Sequence, residues 1–176
     1  MVGCEVAIRS MVREDVPELL RLMHGIVAYE RGTDFRLTEA ELLRRGFGER
    51  PEFGAFVADR GDGRLAGMAV HYEIPFMHTL QPLLMMKWLF VDADRRGGGI
   101  GRLLMQRMAR HALDTGHEKF CWFVLKDNER AQAFYRDVGA MPDPDWDRWA
   151  LGGAELSGLA QTADGRAGQC PLPASS

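Results

Sequence analysis

The chain has 176 residues, of which 46% are hydrophobic and 27% charged, with a formal net charge of −3. That length supports one domain with a core of ordinary size, and the composition excludes wholesale disorder. The slight acidity, with arginines scattered rather than clustered, speaks against a nucleic-acid partner, and Cys4, Cys121 and Cys170, with no CxxC pair, indicate no metal site and no disulfide framework.

Val6 to Ile8 reads as a short first strand, and Glu14 or Asp15 caps the helix after it, with Pro17 in its first turn. Leu19, Leu20, Met23, Ile26 and Val27 fall on one stripe at helical spacing. Thr38 and Glu41 have capping-box spacing for a second short helix through Leu42 and Leu43, stopped by Gly46 and Gly48. Phe53 to Asp59 and Leu65 to Glu73 read as strands joined by the turn Arg60-Gly61-Asp62-Gly63-Arg64.

Pro75 and Pro82 bracket a loop, Phe76 to Gln81, before an apolar strand from Leu83 to Val91. That strand is broken by Lys87 and is too short to span a bilayer, and the N-terminus lacks a basic region followed by an apolar stretch. A cytoplasmic protein with no membrane partner is the expectation. Next comes a glycine loop, and from it a helix to about Thr115. Ile100, Leu104, Met105, Met108 and Ala112 face inward on that helix, and Arg102, Gln106 and Arg110 outward.

Lys119 to Leu125 is a further strand, Glu129 to Val138 a helix ending at Gly139, and Trp146 to Leu151 a final strand. Residues 1–151 form the expected domain. Residues 152–176, rich in Gly, Ala, Ser and Pro, read as a tail with a weak turn of helix around Leu156 and Leu159. The order β-α-α-β-β-β-α-β-α-β predicts an α/β protein. Three antiparallel strands lead into a β-α-β crossover, which makes part of the sheet parallel.

The chemistry concentrates where a buried strand runs into Arg96-Gly97-Gly98-Gly99-Ile100-Gly101-Arg102 and a helix opens directly from it. Glycines let successive backbone N–H groups converge, and a helix N-terminus adds partial positive charge, so a pyrophosphate fits. Arg96 and Arg102 flank the loop, free to reach phosphate oxygens or solvent. A GxGxxG fingerprint would need glycine at Leu104 or Arg102, and a P-loop would need Gly-Lys followed by Ser or Thr; both are absent. A strand-to-helix turn that binds nothing is the alternative.

Candidate bases are weaker. His71 and Glu73 lie two apart on one strand and so share one face, toward or away from any cleft together. His24, His78, His111 and His117 have no convincing arrangement, and the last two read as surface positions.

Arg96-x-x-Gly99-x-Gly101 resembles the Gln/Arg-x-x-Gly-x-Gly/Ala signature of GNAT acetyltransferases, in the strand-loop-helix context that signature requires. Asn128, Ala133-Phe134-Tyr135 and Gly139-Ala140 resemble a second family region, with Ala140 in place of the usual Phe. Within the family, Ala28-Tyr29-Glu30, Leu37-Thr38-Glu39 and Gly46-Phe47-Gly48-Glu49 are similar to the spermidine/spermine and thialysine acetyltransferases. The likeness covers about residues 5–151.

The resemblance implies a mixed, mostly antiparallel sheet with helices on both faces, splayed between its fourth and fifth strands to hold acetyl-CoA. Pantetheine would pair with the backbone edge at Leu89, Phe90 and Val91. The pyrophosphate would lie on Arg96, Gly97, Gly98, Gly99, Ile100, Gly101 and Arg102, with Asn128 nearby. Tyr135 stands at the general-acid position, with a packing tyrosine as the alternative. Glu73 is the candidate base, and Tyr29 and Glu30 stand where this subfamily builds an amine-binding wall. A homodimer joined around Trp146 to Leu151 is implied, with Trp146, Arg148 and Trp149 either beside the acceptor cavity, at that seam, or in simple packing.

One departure concerns the acceptor. The polyamine enzymes carry an acidic pair just before the glycine loop, where this chain has Lys87 and Trp88. Strand alternation predicts that only one of the two lines the cavity. A cation there disfavours a polyamine and suits an amine that bears a carboxylate. The expected activity is therefore acetyl transfer from acetyl-CoA to a small primary amine, amino-acid-like or a diamine, by direct attack in a ternary complex. The alternatives are acetylation of a protein N-terminus or lysine, and a non-catalytic acyl-CoA-binding module.

Overall fold

The computed structural model describes residues 6–32, 34–75, 82–145 and 147–164. Cys4, the loop Phe76 to Gln81 with His78, Trp146 and Cys170 lie outside the described residues. The chain divides into two compact units, Met1–Gly139 and Ala140–Ser176.

The first unit opens with β1 (Ala7–Ser10), a 3₁₀ turn, α1 (Val16–Tyr29) and α2 (Glu39–Phe47). Then come β2 (Gly54–Asp59), β3 (Leu65–Ile74), β4 (Leu83–Val91), α3 (Ile100–Asp114), β5 (Phe120–Trp122) and α4 (Glu129–Asp137). The sheet order is β1-β2-β3-β4-β5. The first three pairings are antiparallel and the last, after the α3 crossover, is parallel.

Alternation along β2 explains why two layers form. Ala55 and Val57 point into a core with Leu19, Leu22, Met23 and Ile26 of α1 and Leu42 of α2. Phe56 and Ala58 point the other way, toward Ile100, Leu104, Met105, Met108 and Ala112 of α3. The inward stripe expected on α3 is the buried one. On α1 the buried stripe is Val16, Leu19, Leu22, Met23 and Ile26, so Leu22 joins it, while Leu20 and Val27 are half-buried. Each such side chain contributes roughly 1.5–3 kcal/mol on leaving water.

Polar clamps fix α1 against the sheet. Arg9 donates to both oxygens of the buried Asp15, at 2.6 and 2.8 Å, and to Asp59 at 2.8 Å. Asp15 stands at the N-cap of α1, but its carboxylate serves the preceding turn, accepting from the Val12 N–H at 2.7 Å. Burial alone would raise the Asp15 pKa; the bonds from Arg9 and Val12 reverse this and leave it lowered. Arg21 grips both oxygens of Asp92, just past β4, at 3.0 and 2.9 Å. This clamp carries the end of β4 toward α1.

Two irregularities shape the site. Met86 pairs with His71 and Trp88 with Val70, which leaves Lys87 as an extra residue, a β-bulge, on β4. β5 is shorter than the expected Lys119–Leu125 strand. It pairs with β4 only from Leu84↔Phe120 to Met86↔Trp122, and beyond that point the strands part.

In the second unit, α5 (Gly153–Asp164) forms where the sequence suggested a tail with a weak turn. The expected strand from Trp146 to Leu151 is not seen among its described residues, 147–151. The proposed boundary after Leu151 thus falls inside this unit. No helix among the described residues is long and apolar enough to cross a membrane.

Candidate active site

The parting of β4 and β5 opens a cavity of 380 Å³, within the usual range for small-molecule sites. One wall is β4 from Met86 to Val91, whose edge past Met86 has no strand partner among the described residues. The opposite wall is Trp122 to Leu125. The last turn of α1, the glycine loop and α4 complete it.

Gly97 and Gly99 have φ of 85° and 81°, the left-handed region where a side chain is strained. Gly99 is the N-cap of α3 and offers no side-chain cap, so the first-turn N–H groups of Ile100, Gly101 and Arg102 face the cavity end without intrahelical partners. Of the expected loop residues only Gly98 stays off the cavity wall.

Arg96 does something the sequence did not indicate. Its Nε donates to the Val91 carbonyl at 2.9 Å, and its guanidinium lies 5.4 Å from the ring centres of both Tyr29 and Phe90. It thus caps the open edge of β4. Arg102 is ion-paired with Asp137 of α4. Phe90 tucks beneath α1 at Gly25, where a Cβ would come within 2.8 Å of its ring. The glycine of α1 is what admits that ring.

Asn128 caps α4, its side-chain oxygen accepting from the Ala131 N–H at 3.1 Å. The same oxygen accepts from the Tyr29 hydroxyl at 3.3 Å. Tyr135 lines the cavity, its ring 5.0 Å from Trp122 and 5.3 Å from Phe134. Burial, reinforced by the charge of Glu30, pushes its hydroxyl up to about 12. A hydroxyl so raised keeps its proton at neutral pH, and it has no hydrogen-bond partner among the described residues.

Tyr29, Glu30, Lys87 and Trp88 all line the cavity. The alternation that would have hidden one of the last two is broken by the bulge at Lys87, which lets both reach it.

Glu73 and His71 share a face, as expected, but it is the α3 face and neither lines the cavity. Glu73 lies 3.7 Å from His117 Nε2. His117, read as a surface residue, is buried at 4% exposure, because α3 stops at Asp114 and the chain after it brings the ring to Glu73 of β3. His71 packs 4.7 Å from His111 and 5.2 Å from Phe56, ring to ring. Burial and the neighbouring His111 lower its pKa to about 4. Among the described residues, no group of three or more acids, histidines or cysteines is placed to hold a metal.

Residues that sequence reasoning missed include Ile26, Met86, Arg95, Trp122 and Arg130. Ile26 was read on the apolar stripe of the first helix and Met86 only within the apolar strand, and both are also core. No spacing signal marks the other three.

Residues 16–140 match the model of the acetyltransferase (GNAT) family. The chain belongs to that family. Its GNAT domain is 29% identical over 152 residues to thialysine N-epsilon-acetyltransferase of Sus scrofa, covering 82% of this chain and 89% of that protein. It is 30% identical over 151 residues to spermidine/spermine N(1)-acetyltransferase-like protein 1 of Homo sapiens, covering 82% of this chain but 22% of that protein. Among solved structures, an integron cassette protein from the mobile metagenome of V. cholerae superposes with a TM-score of 0.73 at 24% identity, covering 90% of this chain and 99% of that one. An aminoglycoside acetyltransferase from a soil metagenome gives 0.70 at 21%, covering 86% and 100%. These last two likenesses concern the fold.

As a GNAT enzyme the chain takes its acetyl group from acetyl-CoA. The cavity suits that donor in three respects: an open strand edge, a left-handed glycine loop, and an uncapped helix N-terminus. The acetyl thioester supplies the activated carbonyl; orientation and proton control fall to the protein.

Proposed function

We propose that the protein acetylates the primary amine of a small molecule, an amino-acid-like amine or a diamine, by direct attack within a ternary complex. The observation that carries this reading is Tyr135, a hydroxyl raised to about 12 and with no hydrogen-bond partner among the described residues, on the wall of the cavity that opens where β4 and β5 part. Leu89, Phe90 and Val91 present the backbone for the pantetheine arm, and an N–H among them serves the developing oxyanion. Gly97, Gly99, Ile100, Gly101 and Arg102 receive the pyrophosphate, with Asn128 at the far wall.

The height of the Tyr135 pKa decides what kind of acid it is. A thiol titrates near ~8.5, so complete proton transfer from a hydroxyl at about 12 is uphill by roughly 5 kcal/mol. Tyr135 therefore acts by hydrogen-bonding the departing sulfur, and the proton that finally neutralises it comes from the amine or solvent. Glu30, the cavity carboxylate that acts on Tyr135, supports the role of receiving the acceptor's ammonium. Glu73 is left out of the chemistry, because it faces α3.

A cytoplasmic homodimer belongs to the same reading. It is supported by Trp149, 91% exposed, and by the exposed Met141 and Leu151 in the second unit. The test of the function is a panel of amines, amino acids, diamines and short peptides assayed for CoA release. Turnover with small amines supports it; turnover with peptides alone points to protein acetylation, and donor binding without turnover to a non-catalytic module.

A further inference from the structure

The β-bulge on β4 places a side chain that a regular strand would have turned elsewhere. Lys87 has no partner on β3, since Met86 pairs with His71 and Trp88 with Val70. Bulges bend a strand and re-aim side chains, and are over-represented beside active sites. Here the result is that Lys87 and Trp88 line the cavity together, with the ammonium 5.4 Å from the centre of the Trp88 ring. Trp88 itself is anchored in the α1 core, so it acts as a platform for the lysine.

The charges on the wall narrow the acceptor. Among the described residues the cavity has two carboxylates, Glu30 and Asp137, and Asp137 is already paired with Arg102. Among the described residues no carboxylate pairs with Lys87. Outside the arginines around the glycine loop and α4, the wall thus offers one anion, Glu30, and one cation, Lys87, neither ion-paired with another described residue. A diamine or polyamine would bring two or more positive charges to one carboxylate and face an ammonium besides. An acceptor with one amine and one carboxylate meets a complement for each.

Building on the acetyltransferase reading, we propose that Lys87 is a specificity-determining residue that receives the carboxylate of an acceptor bearing both an amine and a carboxylate. Its role is in binding: it holds the far end of the acceptor, and the amine is acetylated at the other end.

The experiment compares an ω-amino acid with its carboxamide and with the diamine of equal length, using wild type, Lys87→Met and Lys87→Glu. Wild type should favour the carboxylate by ten-fold or more in kcat/KM, chiefly through KM, because both compounds present the same amine. Lys87→Met should bring the ratio of carboxylate to carboxamide near one, and Lys87→Glu should shift preference to the diamine. Lys87 is exposed, and unchanged CoA binding by each variant shows that the fold persists. Equal use of carboxylate and carboxamide by wild type, or a preference that survives in Lys87→Met, overturns the proposal while leaving the acetyltransferase intact. Failure to acetylate any amine, with acetyl-CoA bound, overturns the acetyltransferase reading and the proposal with it.

Discussion

The hydroxyl of Tyr29, at the end of α1, donates to the side-chain oxygen of Asn128, the cap of α4, across 3.3 Å and 99 positions of sequence. The bond joins two walls of the cavity. The ring of the same tyrosine lies against Arg96, which in turn caps the open edge of β4. Tyr29 therefore links the end of α1, the open edge of β4 and the α4 cap.

Tyr29→Phe keeps the ring and loses only the hydroxyl bond. At an exposed site this should cost below ~1 kcal/mol and change CoA affinity by less than about five-fold. Tyr29→Ala also removes the support of Arg96 and should weaken CoA more than the Phe variant does, as read by calorimetry. Equal affinity of the two variants would show that the ring does not matter.

The glycine loop predicts a separation of strain from charge. Gly99 sits at φ 81° with nothing within 4 Å of an added Cβ, so Gly99→Ala strains the backbone without collision, by about 1–2 kcal/mol. It should lower the melting temperature yet still allow acetyl-CoA to raise it. Gly99→Asp carries the same strain and adds a carboxylate where the pyrophosphate is proposed to lie. It should abolish the ligand-induced shift, and a full shift in this variant would move the phosphate elsewhere.

Tyr135→Phe should lower turnover roughly ten-fold or more with CoA affinity nearly intact. Because the hydroxyl is raised to about 12, its ionisation cannot limit the wild-type rate below about pH 11. An alkaline loss of activity near pH 10 that vanishes in the Phe variant would contradict this assignment.

His71 predicts the acid limb of stability. Its folded pKa of about 4 lies below the usual 6.5, so between those values the unfolded chain binds a proton that the native one refuses. Stability from this group is complete above pH 6.5 and declines as pH falls toward 4, by up to about 3 kcal/mol. His71→Gln should flatten that part of a denaturation-versus-pH curve; an unchanged slope would assign the loss to other groups.

How much of this was legible in sequence depends on whether a local pattern carried the information. The bounds of β4 and the inward stripe of α3 were, because hydrophobic period and a glycine stop record them. So were the cavity positions Tyr29, Asn128 and Tyr135, through resemblance. The bulge was not: Lys87 is neither glycine nor proline, and register is a property of two strands. α5 was read as tail from its Gly and Ala content, although Ala, Leu, Glu and Gln within it are good helix formers. His117 gave no sign of burial because its cover, the sheet face at Glu73, is remote in sequence.

The extra residue on β4 also separates two jobs that a regular strand would merge. Deleting it would join Met86, on the α3 layer, directly to Trp88, on the α1 layer, and restore strict alternation with every flanking side chain still in its own layer. Replacing it disturbs neither layer, since its side chain belongs to no core. Position 87 is thus a slot whose side chain can be exchanged while the scaffold keeps its shape, so under the proposed role of Lys87 a change of acceptor preference needs one substitution and no repacking.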